Sequence, residues 1–267
     1  MTTPLPGARP GPGPEEVPYA ISTHIDAERI MAGVRRGEVV LPSESPKWSE
    51  VLRHRFAGVD LVDYDHDEPT GFEYVWWRPT PACVIDTGAI RVGTSLRRAL
   101  RRNGWTSTVD GAFERVLDEC SQDRRPSWIT PRYRAVLGEL FDDGWAHSIE
   151  VWDGDDLVGG GFGFGWGQVL TLESLFSRAD DGSRAAVADV SARAESAGVR
   201  LINLQWPTAH CQRVGGHEVP RDHLLEALSA AEGRLALPTG RADVARLLDR
   251  SSYGGAPADS PDDASRR

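Results

Sequence analysis

Residues His147 to Arg178, HSIEVWDGDDLVGGGFGFGWGQVLTLESLFSR, restrict the fold more than any other stretch of this chain. HSIEVWD alternates apolar and polar residues, Gly154-Asp155-Asp156 supplies turn chemistry, and LVGGGFGFG resumes an extended run. QVLTLESLF is a third strand-like run, with Glu173 and Ser174 inside an apolar context. Five glycines among residues 159–165 are too many for a helix and unusual for a strand. Glycine weakens a strand interior and marks places where a ligand or another backbone comes close. The stretch predicts an antiparallel sheet whose Gly-rich strand leaves room for something to be bound. A Gly-rich edge hairpin without a ligand fits the composition equally well.

The chain of 267 residues allows one or two domains, and its net charge of −10 excludes general adhesion to nucleic acid or membranes while leaving open a local basic face. Cys83, Cys120 and Cys211 are odd in number and widely spaced, which indicates a reducing compartment and no disulfide framework. The Pro/Gly-rich start does not resemble a signal peptide and no apolar run is long enough to span a bilayer, so a cytoplasmic protein without membrane contact is expected.

Residues 1–17 are expected to be a disordered tail and 236–267 a mostly disordered one, with apolar density lost from about 238. Between them, Asp26 caps a helix carrying Ile30, Met31 and Val34, and Gly37 stops it. WSEVLRHRF is a short helix. Asp63-x-Asp65-x-Asp67 resembles the start of a calcium loop, but the glycine is missing and Tyr74 stands at position twelve, which favours a solvated acidic loop. In EYVWWRPTPACVID the two tryptophans point to opposite faces of a strand, placing at least one at a pocket or domain seam. Thr108 to Cys120 reads as a capped helix, and Thr130-Pro131 as an N-cap and first turn. Ser183 to Gly198 is an Ala-rich helix, RLINLQWP a buried parallel-type strand, and Pro220 opens a last helix. The order predicts a mixed α/β sheet with its ligand edge where strands diverge.

TSLRRALRR (94–102) is amphipathic. Leu96, Ala99 and Leu100 share one side, while Arg97, Arg98, Arg101 and Arg102 share the other with no acid between them. Four uncompensated arginines repel one another, so the sequence favours a polyanion-binding ridge over a merely solvated face. His147, His210 and His217 are scattered. With Cys211 they lack zinc-ligand spacing, so structural roles are expected, and no Ser-His-Asp set is evident.

Eight islands in one order over roughly residues 26–230 resemble the leucyl/phenylalanyl-tRNA–protein transferase family. They are WWRPTP (76–81), SLRRALRR (95–102), TVDGAFERVLDECS (108–121), SWITP (127–131), AHSIEVWDGDDLVGG (146–160), ESLFSR (173–178), RLINLQWPTAH (200–210) and VPR (219–221). The resemblance implies a small N-terminal domain (18–88, with an acidic insert) and a GNAT-like acyltransferase domain (89–235). It implies transfer of a Leu/Phe-type aminoacyl group from aminoacyl-tRNA to the α-amine of an N-terminal Arg or Lys. The donor is an activated ester, so positioning can do most of the work and no cofactor or metal is expected. A monomer is expected.

The resemblance assigns Gln205 and Asn203, two apart on one strand, to the reaction centre, with the Gln205 oxygen orienting the attacking amine and Glu173 meeting an amino group. It assigns Trp128, Gly161, Gly163, Phe176, Ser174 and Trp77 to the aminoacyl or adenosine pocket, and Arg97, Arg98, Arg101 and Arg102 to tRNA phosphates. The chain departs from the family pattern at Asn203, where the family has aspartate, at GEVVLP (37–42) in place of GIFPW, at Ala82, at Leu172, and in an insert between Pro42 and Trp76. Two further functions therefore stand beside the first: transfer to a small basic molecule, and aminoacyl-tRNA binding without catalysis. An acyl-CoA acetyltransferase is disfavoured because SRADDGSRAA is only a faint echo of a pyrophosphate loop.

Overall fold

The computed structural model describes residues 16–43, 45–65, 71–89, 92–122 and 127–249, leaving most of the two expected tails and part of the acidic loop outside the described residues. The first strands, β1 (Ala20–Ser22), β2 (Val39–Pro42), β3 (Val62–Asp63) and β4 (Tyr74–Trp77), form a four-stranded sheet in the order β2-β4-β1-β3. Helices α1 (Ala27–Arg35) and α2 (Pro46–Arg55) belong to the same part of the chain. The Asp26 side chain accepts from Arg29 N–H at 2.7 Å, the cap its position predicts. Asp65, read as part of a solvated acidic loop, is instead an anchor. Burial opposes its ionisation, but hydrogen bonds from Arg29, Thr23 and His24 overcome that and hold its carboxyl well below the usual range.

An eight-stranded sheet holds the rest. It comprises β5 (Ala82–Asp86), β6 (Thr106–Val109), β7 (Ala146–Asp153), β8 (Asp156–Trp166), β9 (Val169–Ser177), β10 (Leu201–Gln205), β11 (His217–Val219) and β12 (Ala242–Asp243), in the order β11-β5-β10-β9-β8-β7-β6-β12. Strand β5, within the 18–88 segment expected to be N-terminal, pairs with both β10 and β11 of this sheet. Helices α3 (Thr94–Arg102), α4 (Phe113–Ser121), α5 (Pro131–Asp142), α6 (Gly182–Ser196), α7 (Ala209–Arg213) and α8 (Arg221–Ser229) complete the regular elements, with a 3-10 helix at Val244–Asp249. One core joins α4 and α5 to one face of the sheet; a second joins α6, α3 and the 3-10 helix to the other. The expected loss of order from about 236 therefore does not begin there. Val244 and Leu247 are buried, and Arg246 pairs at 2.6 Å with Asp189 of α6.

Both faces of β7 are covered, so the polar members of its alternation lie inside the protein. Glu150 accepts hydrogen bonds from Thr108 and Ser148 hydroxyls, both at 2.5 Å, and from the Gly111 and Ala112 N–H groups just before α4. This remote carboxylate supplies the negative charge that a helix N-terminus favours. The cap expected within 108–120 is absent: Asp110 turns back with φ of 58° and binds His147 Nδ1 at 2.9 Å. At α5, by contrast, Thr130 accepts from Tyr133 N–H as its position predicts.

The Gly-rich strand admits backbone. A Cβ at Gly159 would lie 2.3 Å from the carbonyl carbon of Gly182 at the start of α6. One at Gly161 would meet the Ser174 carbonyl oxygen at 2.3 Å, and one at Gly163 the Thr171 carbonyl oxygen at 2.2 Å. The room expected for a ligand beside these glycines is filled by β9 and α6. Among the described residues, no helix is long and apolar enough to cross a membrane.

Candidate active site

Strands β9 and β10 are the one parallel neighbour pair among the described strands of the large sheet, and they part after three residues. Leu201, Ile202 and Asn203 pair with Val169, Leu170 and Thr171, and there the pairing ends. Each strand then follows its other neighbour through a bulge. On β9 the register passes from Leu172, opposite Gly163, to Ser174, opposite Phe162, so Glu173 is the extra residue. On β10 it passes from Asn203, opposite Val84, to Gln205, opposite Cys83, leaving Leu204 as the extra one. Bulges re-aim side chains and end pairing. Here two of them face one another across a cavity of about 240 Å³.

Glu173 and Gln205 close the gap between the two bulges. Gln205 Nε2 donates to Glu173 Oε1 at 2.6 Å, and the two residues are only 3% and 5% exposed, Gln205 being the more buried. Gln205 has φ of 68°, a left-handed conformation that costs a non-glycine residue about 1 kcal/mol. Asn203 holds that turn in place: its Oδ1 accepts from Gln205 N–H at 2.9 Å and its Nδ2 donates to Thr171 Oγ1 at 3.3 Å. The amide nitrogen of Gln205 is committed to Glu173, so its carbonyl oxygen turns away from the carboxylate. Strain of this kind concentrates at functional sites.

The cavity places the sequence-derived candidates unequally. Glu173, Ser174, Phe176 and Gln205 line it, as do the apolar side chains of Leu172 and Leu204. Asn203 stands one hydrogen bond behind Gln205. Gly161 and Gly163 do not reach the cavity, because β9 occupies the space beside them. Trp128 stacks on Phe162 with centroids 6.1 Å apart, on the α4/α5 side and outside the cavity lining. Trp77 packs edge-on to Phe56 at 5.9 Å, in an apolar cluster that includes Trp206. Its link to the site runs through Trp206, the residue following Gln205, and it too lies outside the lining.

Two residues in the wall carry no site signal in the sequence. His210 and Cys211 reach the cavity from α7, opposite the first turn of α6 with Ser183. Burial, with the positive charges of Arg213 and Arg184, lowers the pKa of His210 and keeps it neutral at pH 7. The spacing of this histidine matches no metal pattern, which points to a structural role. Helix α7 spans only five residues, Ala209–Arg213, so no periodicity marks either His210 or Cys211 as part of the wall.

The arginine ridge starts next to this wall. Leu96, Ala99 and Leu100 of α3 are buried while Arg98, Arg101 and Arg102 are exposed and Arg97 is half-buried. Among the described residues none of the four guanidinium groups takes part in an ion pair. At the N-terminal end of α3, Ser95 Oγ accepts from Arg184 Nη1 at 2.7 Å, and Arg184 also pairs with Asp181 at the start of α6. The α3 N-terminus is thereby tied to the helix whose first turn bounds the cavity.

The family model described as leucyl/phenylalanyl-tRNA protein transferase matches residues 84–229, a stretch running from β5 through α8 and containing the whole seam. The chain belongs to this family. Members of the leucyl/phenylalanyl-tRNA protein transferase family are enzymes, and the chain is an aminoacyltransferase by membership. It is 38% identical to the leucyl/phenylalanyl-tRNA–protein transferase of Xanthomonas campestris pv. campestris over 63% of this chain and 68% of that protein. Identity is 40% with the protein of that name from Anaeromyxobacter dehalogenans, over 59% and 69% of the two chains. It is 36% with that from Afipia carboxidovorans, over 74% and 92%.

Proposed function

We propose that an aminoacyl group passes from tRNA to an amine at the mouth of the β9/β10 cavity, in the cytoplasm. The observation that carries this reading is the buried Gln205–Glu173 hydrogen bond, formed by two opposed bulges at the edge of the cavity. The names of the relatives supply the donor class, Leu- or Phe-tRNA, and a protein acceptor. The parallel seam supports a GNAT-like acyltransferase domain beside a small N-terminal domain.

The chemistry is a substitution at an ester. The amine lone pair forms an amide bond to the aminoacyl carbonyl carbon, the ester C–O bond breaks, and the ribose hydroxyl of the tRNA leaves with a proton. The Gln205 carbonyl oxygen accepts a hydrogen bond from the attacking amine and aims its lone pair. Glu173 fixes the amide in that sense and adds negative charge where a cationic acceptor arrives. Leu172, Phe176 and Leu204 offer apolar surface to the aminoacyl side chain. Arg97, Arg98, Arg101 and Arg102 hold tRNA phosphates.

The test is incubation with radiolabelled Leu- or Phe-tRNA and an Arg-ended peptide, with free arginine as the competing small acceptor. Label is expected in the peptide. Label only in free arginine would assign the site to a small basic molecule, and tRNA binding with no transfer to any amine would make the protein a binder. If four arginines carry the tRNA contact, log affinity should fall with log salt at a slope of about −3. Arg98→Ala and Arg101→Ala should each make the slope shallower by roughly one; an unchanged slope removes the ridge from the proposal.

Asn203→Asp is a separate probe of the acceptor. Aspartate can still accept from Gln205 N–H, and Thr171 can turn its hydroxyl to donate to it. Transfer to the Arg-ended peptide should therefore equal or exceed that of the unaltered protein. A complete loss would show that the neutral amide is a specialised choice.

A further inference from the structure

Cys211 is one of two buried, free thiols that face each other beside this site. Cys83 lies on β5 as the register partner of Gln205, and Cys211 lies on α7, in the cavity wall. Gly216 sits against both residues: a Cβ there would be 2.9 Å from the Cys211 carbonyl oxygen and 3.0 Å from Cys83 Sγ. Thr208 Oγ1 donates to Cys211 Sγ at 3.0 Å, and the same oxygen accepts from Cys211 N–H at 3.1 Å. The two sulfurs are not equivalent. The Cys83 S–H aimed at Cys211 lowers the Cys211 pKa, and against the effect of burial the Thr208 hydroxyl lowers it further. The same hydrogen bond, burial and the nearby Glu218 raise that of Cys83. Cys211 is thus the more acidic of the two thiols, and it lines the cavity through which a small molecule can reach it. Cys83, fully buried, is the protonated partner behind it.

We infer that Cys211 is an oxidative modification site with Cys83 as its resolving thiol, and that a small peroxide closes the cavity by joining α7 to β5. The Cys211 thiolate attacks one oxygen of the peroxide, the O–O bond breaks, and hydroxide leaves, giving a sulfenic acid. Cys83 then attacks that sulfur: the S–S bond forms, the S–O bond breaks, and the oxygen departs as water with the Cys83 proton. Two thiols lose two electrons and the peroxide gains them, to give one disulfide and two waters. A small-molecule dithiol reverses the bridge by exchange. Because Cys83 is paired with Gln205 across the sheet, the bridge pulls on the strand that presents the amide, and it narrows the wall that Cys211 provides. The effect on transfer rests on the function proposed above; the chemistry of the thiols does not.

The full-length protein, reduced and then treated with an equimolar amount of hydrogen peroxide at pH 7, should yield a peptide joining Cys83 to Cys211 and lose two hydrogens in mass. Cys211 should react about 10-fold faster than Cys120, which lies in the other core. Cys83→Ser should stop the reaction at a Cys211 sulfenic acid, trapped by dimedone, and Cys211→Ser should yield neither product. Transfer, measured relative to each protein's own untreated rate, should fall with formation of the bridge and return with dithiothreitol. Absence of the joined peptide, or equal reaction at Cys120, overturns the inference whatever the transfer assay shows. Bridge formation with no transfer even in the reduced protein would leave the thiol site standing and remove the function assigned to the cavity.

Discussion

Gln205→Ala should lower the single-turnover rate of aminoacyl transfer about 100-fold, the scale on which loss of a positioning contact at a reacting centre is felt. Affinity for tRNA should be unaltered, because the arginine ridge is on α3 and the substitution is on β10. The expectation follows from the geometry of the amide. Its nitrogen is held by Glu173 at 2.6 Å, its backbone N–H by Asn203 at 2.9 Å, and its backbone is strained into the left-handed region. One side-chain and two backbone constraints converge on this residue and set the direction of its side-chain carbonyl oxygen. Alanine adopts the same left-handed backbone no more easily than glutamine, so stability should change little from that source. Glu173 would be left as a buried carboxylate without this donor, and a modest loss of stability is the expected companion. An unchanged transfer rate at saturating tRNA would exclude Gln205 from the chemistry.

Gly159→Ala should destabilise the protein by about 3 kcal/mol, or roughly 6–12 °C in Tm for a chain of this size. The added methyl group would meet the Gly182 carbonyl carbon at 2.3 Å, its oxygen at 2.6 Å and its Cα at 2.7 Å. All three are backbone atoms, so no side chain can swing away, and relief requires moving α6 off the sheet. Gly138 is the control. It lies within α5, and a methyl group added there would meet nothing within 4 Å, so Gly138→Ala should stabilise by about 0.5–1 kcal/mol through helix propensity. Equal denaturation midpoints for the two variants would show that the contact between β8 and α6 is not tight.

Local signals in the sequence are faithful where the structure is local. Asp26 and Thr130 cap the helices their positions predict, the hairpin of β7 and β8 turns at Gly154, and α3 presents its arginines outward. The islands also bring Glu173, Gln205, Phe176 and Ser174 to one cavity. What fails depends on distant chain. The glycines of β8 are small because Gly182, Ser174 and Thr171 press on them, and a glycine in a sequence does not say which partner approaches. Trp77 and Trp128 pack in apolar clusters and do not line the β9/β10 cavity, because aromatic side chains fill cores as readily as they line sites. Helix α7 spans only Ala209–Arg213, too short for periodicity to register, so nothing in the sequence places His210 and Cys211 in the wall. The segment 242–249 depends on a few contacts, chiefly Val244, Leu247 and Arg246, which composition alone undercounts.

The pairing of β5 with β10, strands far apart in sequence, also bears on how the enzyme comes into being. Strands β6 to β9 can zip up from neighbours in sequence, whereas Ala82–Asp86 must wait for Leu201–Gln205 to be made before it finds its place. Such distant pairings close slowly. The bulge beside Gln205 is defined by that pairing, so the Gln205–Glu173 contact takes shape only once two segments more than a hundred residues apart have met.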